Sequence, residues 1–147
     1  MPKITADFTK ISSSFQALED GEYVCAITDI EESETKENKL PQVIFTLEVN
    51  DPNHPTHTGH VLKDYIVLVQ KNGKPNRIGL GQIKAYGEAV LGSDAANSPE
   101  GIDTDDLKNG SVMAVVKQRS YNRKNQDGSE SGEQGITNEI AKVLPVN

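Results

Sequence analysis

The strongest constraint on the fold of this chain is a strand, polar loop and strand that follow one another near its end. Residues 111–121 are rich in β-branched side chains, and residues 122–135 contain almost nothing that could be buried in a core. The glycines of that loop and its Asp-Gly pair are typical of a hairpin connection. Residues 136–146 are predicted to return as the second strand. Residues 111–121 alternate in the way that buries one face of a strand. That face holds Val112, Ala114 and Val116.

The other face of this strand and the start of the loop carry cations and one aromatic ring. A cationic, ringed end of a β-ribbon is how proteins present charge and a stacking surface to a flexible polyanion. The alternative is an ordinary hairpin whose tip is charged because it is solvated. The residues concerned are Lys117, Arg119, Tyr121, Arg123 and Lys124.

The distribution of charge bears on whether a nucleic acid is a plausible partner. The net charge of −7 disfavours phosphate binding, which depends on Lys and Arg releasing counterions. Five acids fall within residues 29–37 and five within residues 94–106, whereas residues 117–124 hold four cations and no acid. An acidic body with one basic edge can bind single strands, with modest affinity and strong salt sensitivity.

Length and composition predict one domain over residues 1–147, with an irregular arm over residues 1–20. At 147 residues, 35% of them hydrophobic, the chain is long enough for one core and too short for two. It contains no apolar stretch of membrane-spanning length and no basic-then-apolar leader, so we expect no membrane association. The lone Cys25 cannot form an internal disulfide, which suits a reducing cytoplasm.

The remaining patterns predict three strands and then a helix. In order, they are a strand from residue 21, a solvated turn over residues 31–39, and strands over residues 40–49 and 61–69. Residues 76–91 then change to a helical period, with Asn76 as N-cap and Gly92 as the stop. The predicted apolar stripe of this helix consists of Ile78, Leu80, Ile83, Gly87, Val90 and Leu91.

Two shorter segments carry charged or metal-ligating side chains. Asp103 and the acids after it are typical of the cap and first turn of a short helix. His54, His57 and His60 are spaced three apart and, together with Asp51, could gather round a metal. That spacing groups side chains on a helix, but the prolines and glycine of this segment favour a loop, so the sequence leaves a metal site open without predicting one.

The order of elements predicts the architecture. Three strands, a helix and two strands, joined by connections that suit antiparallel neighbours, can close into a five-stranded Greek-key barrel with the helix plugging one end. This is the oligonucleotide/oligosaccharide-binding fold, or OB-fold. Nucleic acid there lies across strands two and three, between two loops that correspond here to residues 31–39 and 122–135.

The chain also resembles a known family. The runs DFTKI, FQALEDGEYVCAI, LPQVIFTLEV, GHVLKDYIVL, AYGEAVLG, DDLKNGSVMAVVKQRSYN and NEIAKVLPV are similar to those of phage-encoded single-stranded-DNA-binding proteins. The resemblance extends from residue 7 to the end of the chain. It implies an OB-fold, a place in phage DNA replication or recombination in the cytoplasm of the bacterial host, and phage or host replication and recombination proteins as partners.

From these patterns we expect sequence-tolerant binding of single-stranded DNA, without a cofactor. The predicted contacts add Lys36 and Lys39 of the first loop, and Lys63 and Tyr65 of the third strand, to the cationic ribbon. The alternative is a non-enzymatic replication or recombination adaptor that binds protein partners. The sequence has no Ser-His-Asp arrangement, no metal motif of reliable spacing and no carboxylate pair on a firmly placed element. We therefore do not expect an enzyme. The sequence leaves open whether the chain forms a homo-oligomer.

Overall fold

Five antiparallel strands form one open sheet, in the order β3-β2-β1-β4-β5, within residues 3–5, 17–124 and 130–146 that the computed structural model describes. The side chains of residues 121–124 and 130–135 are not among those described. The strands are β1 (Gly21–Glu34), β2 (Pro41–Val49), β3 (Val61–Val67), β4 (Ser111–Lys124) and β5 (Glu130–Leu144). The predicted mainly β chain with five strands is therefore confirmed.

The core lies on one face of this curved sheet, as the alternation of the strands predicts. In β2, Val43, Phe45 and Leu47 are buried, and in β4 Val112, Ala114 and Val116 are buried. A period of two places every second side chain on the same face, so these residues pack together in one cluster. Cys25 belongs to it, and burial raises the pKa of its thiol to about 12, which indicates an inert core cysteine.

Helices occupy the connection between β3 and β4. The predicted helix is α1 (Arg77–Leu91), and it ends at Gly92 as expected. The prediction of one helix there was incomplete, because α2 (Ser93–Ala96) was not predicted, whereas α3 (Thr104–Leu107) follows the predicted cap at Asp103. The expected cap is present in α3, where the side chain of Asp103 accepts a 2.9 Å hydrogen bond from the Asp105 amide. The four-residue α2 is too short to show a helical period in its sequence.

The predicted apolar stripe of α1 was partly wrong. Ile78, Leu80 and Leu91 are exposed, Gly87 is buried as predicted, and Gly79 and Tyr86 are buried outside the predicted stripe. The first turn lies so close to β3 that a Cβ atom on Gly79 would be 2.1 Å from the Val67 carbonyl oxygen. A glycine face, which has no hydropathy signal, therefore makes the contact.

The strands reach further into the polar segments than hydropathy predicts. The turn predicted over residues 31–39 is shorter, because β1 continues to Glu34 and pairs Glu31 with Ile44 and Glu32 with Val43. The loop predicted over residues 122–135 is also shorter, because β4 continues to Lys124 and β5 starts at Glu130. Backbone hydrogen bonds hold these extensions, and they do not require apolar side chains.

A short segment before β1 is held against the base of the β4–β5 ribbon. Gln118 and Asn138 face each other across the two strands, and both side chains donate hydrogen bonds to the Leu18 carbonyl oxygen, at 3.0 and 2.9 Å. Asn138 also accepts from the Leu18 amide, at 2.9 Å, and Leu18 is fully buried. Residues 3–5 and 17–20 of the predicted arm have no regular structure, and the rest of the arm lies outside the described residues.

Candidate functional site

A groove of about 620 Å³ lies between β3 and β5, the two edge strands of the sheet. Each edge strand has a neighbour on one side only, so one row of its backbone groups is available to a ligand. Three residues of the predicted site line this groove, namely Lys63, Tyr65 and Arg119. The other lining residues are His60, Val61, Leu62, Asp64, Gln82, Thr137, Asn138, Glu139 and Ile140.

Alternation along β3 explains how one short strand supplies both a cation and a ring. Leu62 and Ile66 are buried in the core, which turns Val61, Lys63 and Tyr65 outward. The Tyr65 side chain is 59% exposed, unlike the buried Tyr23 and Tyr86. A phenol ring with that exposure is available for stacking, and this distinguishes Tyr65 from the aromatic residues of the core.

Arg119 reaches the groove from β4, the neighbour of the edge strand β5. The pairing of β4 with β5 is regular here, with Arg119 opposite Thr137 and Lys117 opposite Glu139. Both cations are exposed. Lys117 does not line the groove, but its partner Glu139 does, so the cationic face of β4 borders the groove across one strand.

A fixed carboxylate lies among these groups. Asp64, between Lys63 and Tyr65 in β3, accepts a 2.8 Å hydrogen bond at Oδ2 from the Tyr86 hydroxyl. The Tyr86 ring is stacked on Phe45, with ring centroids 4.0 Å apart and an angle of 17° between the planes. The pKa of the Asp64 carboxyl is raised overall. Burial is the main cause, the Tyr86 hydrogen bond opposes it, and nearby Glu139 adds to it. Sequence reasoning missed Asp64.

The other predicted residues are not assembled with the groove. Lys36 and Lys39 are exposed in the turn after β1, and neither lines it. Tyr121, Arg123 and Lys124 lie in β4, but their side chains fall outside the described residues. The structure thus brings three of the nine predicted residues into one groove.

The outer face next to the groove is acidic on the β1 side. Two cross-strand rows run from β1 to β3, and each starts with an exposed carboxylate. In one row Asp29 is followed by Thr46 and Lys63, and in the other Glu31 is followed by Ile44 and Tyr65. Acids on β1 disfavour an anionic ligand across the middle of the sheet.

The histidine segment packs on the core instead of forming a cluster of ligands. His54 lies against Tyr23, with ring centroids 4.5 Å apart, and His57 contacts the same ring from 6.0 Å. His60 is the member of the set that lines the groove, and burial, with a smaller contribution from His57, lowers its pKa. Among the described residues, no group of three His, Cys, Asp or Glu side chains could hold a metal ion.

Asp51, next to these histidines, has a structural role. Its buried carboxylate accepts hydrogen bonds from the amides of Val24, at 3.0 Å, and Asn53, at 2.9 Å. The Val24 bond is the main cause that lowers the pKa of Asp51; burial opposes it, and the Asn53 bond and the neighbouring His54 add to it. The carboxylate joins the loop after β2 to the start of β1.

Comparison with known proteins identifies a family without a known activity. The model of DUF669, a family of proteins of unknown function, matches residues 4–127. Because this match covers most of the 147 residues, the chain belongs to that family. No match was found among curated proteins. In the described part of the chain, no helix is both long and apolar enough to cross a membrane.

Proposed function

We propose that this member of the DUF669 family binds single-stranded DNA in the groove between β3 and β5. The observation that carries the proposal is the meeting of Lys63, Tyr65 and Arg119 in one open groove. Two cations can follow the phosphates while an exposed ring stacks on a base, which is the usual chemistry of sequence-tolerant single-strand binding. Phage DNA replication or recombination is the process that the sequence resemblance suggests.

We further propose that the open sheet is an OB-type barrel whose seam is the DNA groove. Three features support this: β1 pairs with both β2 and β4, the main helix follows β3, and both β3 and β5 line one cavity. In OB-folds the ligand surface includes strands two and three. In this chain, the acids of β1 move the favourable track toward β3 and β5.

Electrostatics set the expected strength of binding. The net charge of −7 repels a polyanion at long range, so the proposal requires local cations to outweigh it. The affinity should therefore be modest and should fall steeply as salt rises. The non-enzymatic adaptor remains the competing proposal, and it differs in a measurable way: an adaptor that does not bind DNA has no affinity for an oligonucleotide even at low salt.

The experiment is to measure fluorescence anisotropy of a labelled, unstructured oligonucleotide with wild type and the Tyr65→Ala variant at low salt. If the ring stacks on a base, the variant should lose about 1–3 kcal/mol of binding free energy. The matched control is Ile78→Ala, since Ile78 is 78% exposed on α1 and does not line the groove. Equal affinities of the two folded variants would remove Tyr65 from the site, and an absence of wild-type binding would reject the proposal.

A further inference from the structure

The carboxylate of Asp64 has one oxygen engaged and one that is not. Tyr86 donates to Oδ2, and it is the only hydrogen-bond partner of this side chain among the described residues. Within that part of the chain, no buried side-chain nitrogen or oxygen lacks a partner. Oδ1 therefore keeps contact with solvent, and since Asp64 lines the groove, this oxygen is an acceptor that a bound molecule can reach.

The orientation of this acceptor is fixed by the packing below it. Tyr86 is fully buried and stacked on the fully buried Phe45, so the hydroxyl that holds Oδ2 has little freedom to move. A hydrogen-bond acceptor whose position is fixed in advance discriminates between ligands better than one on a mobile side chain, because less ordering is required on binding. This is the property that a base-reading group needs.

We infer that Asp64 makes the groove prefer cytosine over thymine, an inference that rests on the proposed binding of single-stranded DNA. Cytosine presents the N4 amino group, which donates to Asp or Glu, whereas thymine has the O4 acceptor at the equivalent position. The carboxylate attracts the first group and repels the second. Alternation points Asp64 to the core side of β3 and Tyr65 to its outer side, and both line the groove, so a base that enters the groove past Tyr65 meets Oδ1 with its polar edge.

Wild-type protein should bind oligo(dC) roughly tenfold more tightly than oligo(dT) of equal length, the effect of about one hydrogen bond to a charged group. The Asp64→Asn variant should lose or invert this ratio. Tyr86 would still donate to the amide oxygen, and the amide NH₂ would then offer a donor to thymine O4. Anisotropy titrations at one salt concentration and pH 8 give both affinities for each protein.

The matched control is Glu139→Gln, which removes a negative charge from the same groove on the opposite strand. This variant should bind both oligonucleotides more tightly and keep their ratio, which separates the loss of repulsion from base reading. A second test leaves the protein unchanged. An oligonucleotide of pyrimidin-2-one, which lacks the amino group of cytosine, should lose the preference that oligo(dC) shows with wild type.

The outcomes distinguish this inference from the proposed function. Equal binding of oligo(dC) and oligo(dT) by wild type, an unchanged ratio in folded Asp64→Asn, or tight binding of the pyrimidinone strand would overturn the role of Asp64 and leave single-strand binding intact. If wild type binds neither oligonucleotide at low salt, the proposed function fails, and the inference fails with it.

Discussion

Asp51 shows how a single buried side chain joins two parts of the fold. Its two oxygens accept from amides in β1 and in the loop after β2, and these bonds favour the charged form. From the sequence, Asp51 was considered only as a possible metal ligand together with the histidines. Its actual role depends on the Val24 amide, which lies far away in the chain and gives no signal in the local pattern.

The Asp51→Asn variant should lose about 1–3 kcal/mol of unfolding free energy at neutral pH, because one amide donor loses a charged acceptor. The pKa of Asp51 is lowered in the folded state, so its charge stabilises the protein above the unfolded pKa of about 3.9. That contribution disappears as the pH falls through the lower folded pKa. Urea unfolding from neutral to acid pH should therefore show wild type and the variant converging, with exposed Asp94→Asn as control. A difference that does not change with pH would contradict this account.

Helix α1 shows which properties of a helix can be predicted from its sequence. Its bounds followed from the period and from Gly92, but its buried face did not. Ile78 and Leu80 have the hydropathy of core residues and are exposed, because the helix meets β3 through Gly79. Close backbone approach is a tertiary property, and the apolar pattern of a helix cannot report it.

Two glycines two residues apart in α1, which lie on opposite sides of the helix, make a matched test of this contact. Gly79→Ala places a Cβ against the Val67 carbonyl, and the displacement of the helix should cost about 1–3 kcal/mol of unfolding free energy. Gly81 has no atom within 4 Å of its position for a Cβ, so Gly81→Ala should add about 0.5–1 kcal/mol through lower backbone entropy in the unfolded chain. Thermal or urea unfolding gives both signs. A stabilising Gly79→Ala would show that α1 does not approach β3 in this way.

At the scale of the whole molecule, alternation was sufficient to predict five strands but not the groove. Lys63 and Tyr65 were identified from one strand and Arg119 from another, and only the curvature of the sheet brings them together. The groove depends on β3 and β5 facing each other, and these strands are far apart in the chain. Lys36 and Lys39 were expected in the same site because they are cationic and lie in a hairpin, which fixes neither the distance to the groove nor the direction of their side chains.

At this scale, the positions of the acidic residues matter as well as their number. Exposed carboxylates on β1 border the cross-strand rows that end at Lys63 and Tyr65. In the proposed function, the DNA strand is therefore favoured in the β3–β5 groove and disfavoured one strand away. This arrangement suits weak, readily reversible binding, since long-range repulsion opposes what the local cations provide.

The most direct test of the account is the salt dependence of oligonucleotide binding. It compares wild type with the double variant Lys63→Ala/Arg119→Ala and a control, Lys74→Ala/Arg77→Ala, whose cations line a separate cavity of about 320 Å³. Wild type and the control should share one slope of log affinity against log salt. The groove variant should have a slope shallower by about 1.4, because two phosphate contacts are lost. Identical slopes for the two double variants, or no wild-type binding at low salt, would contradict single-strand binding in the β3–β5 groove.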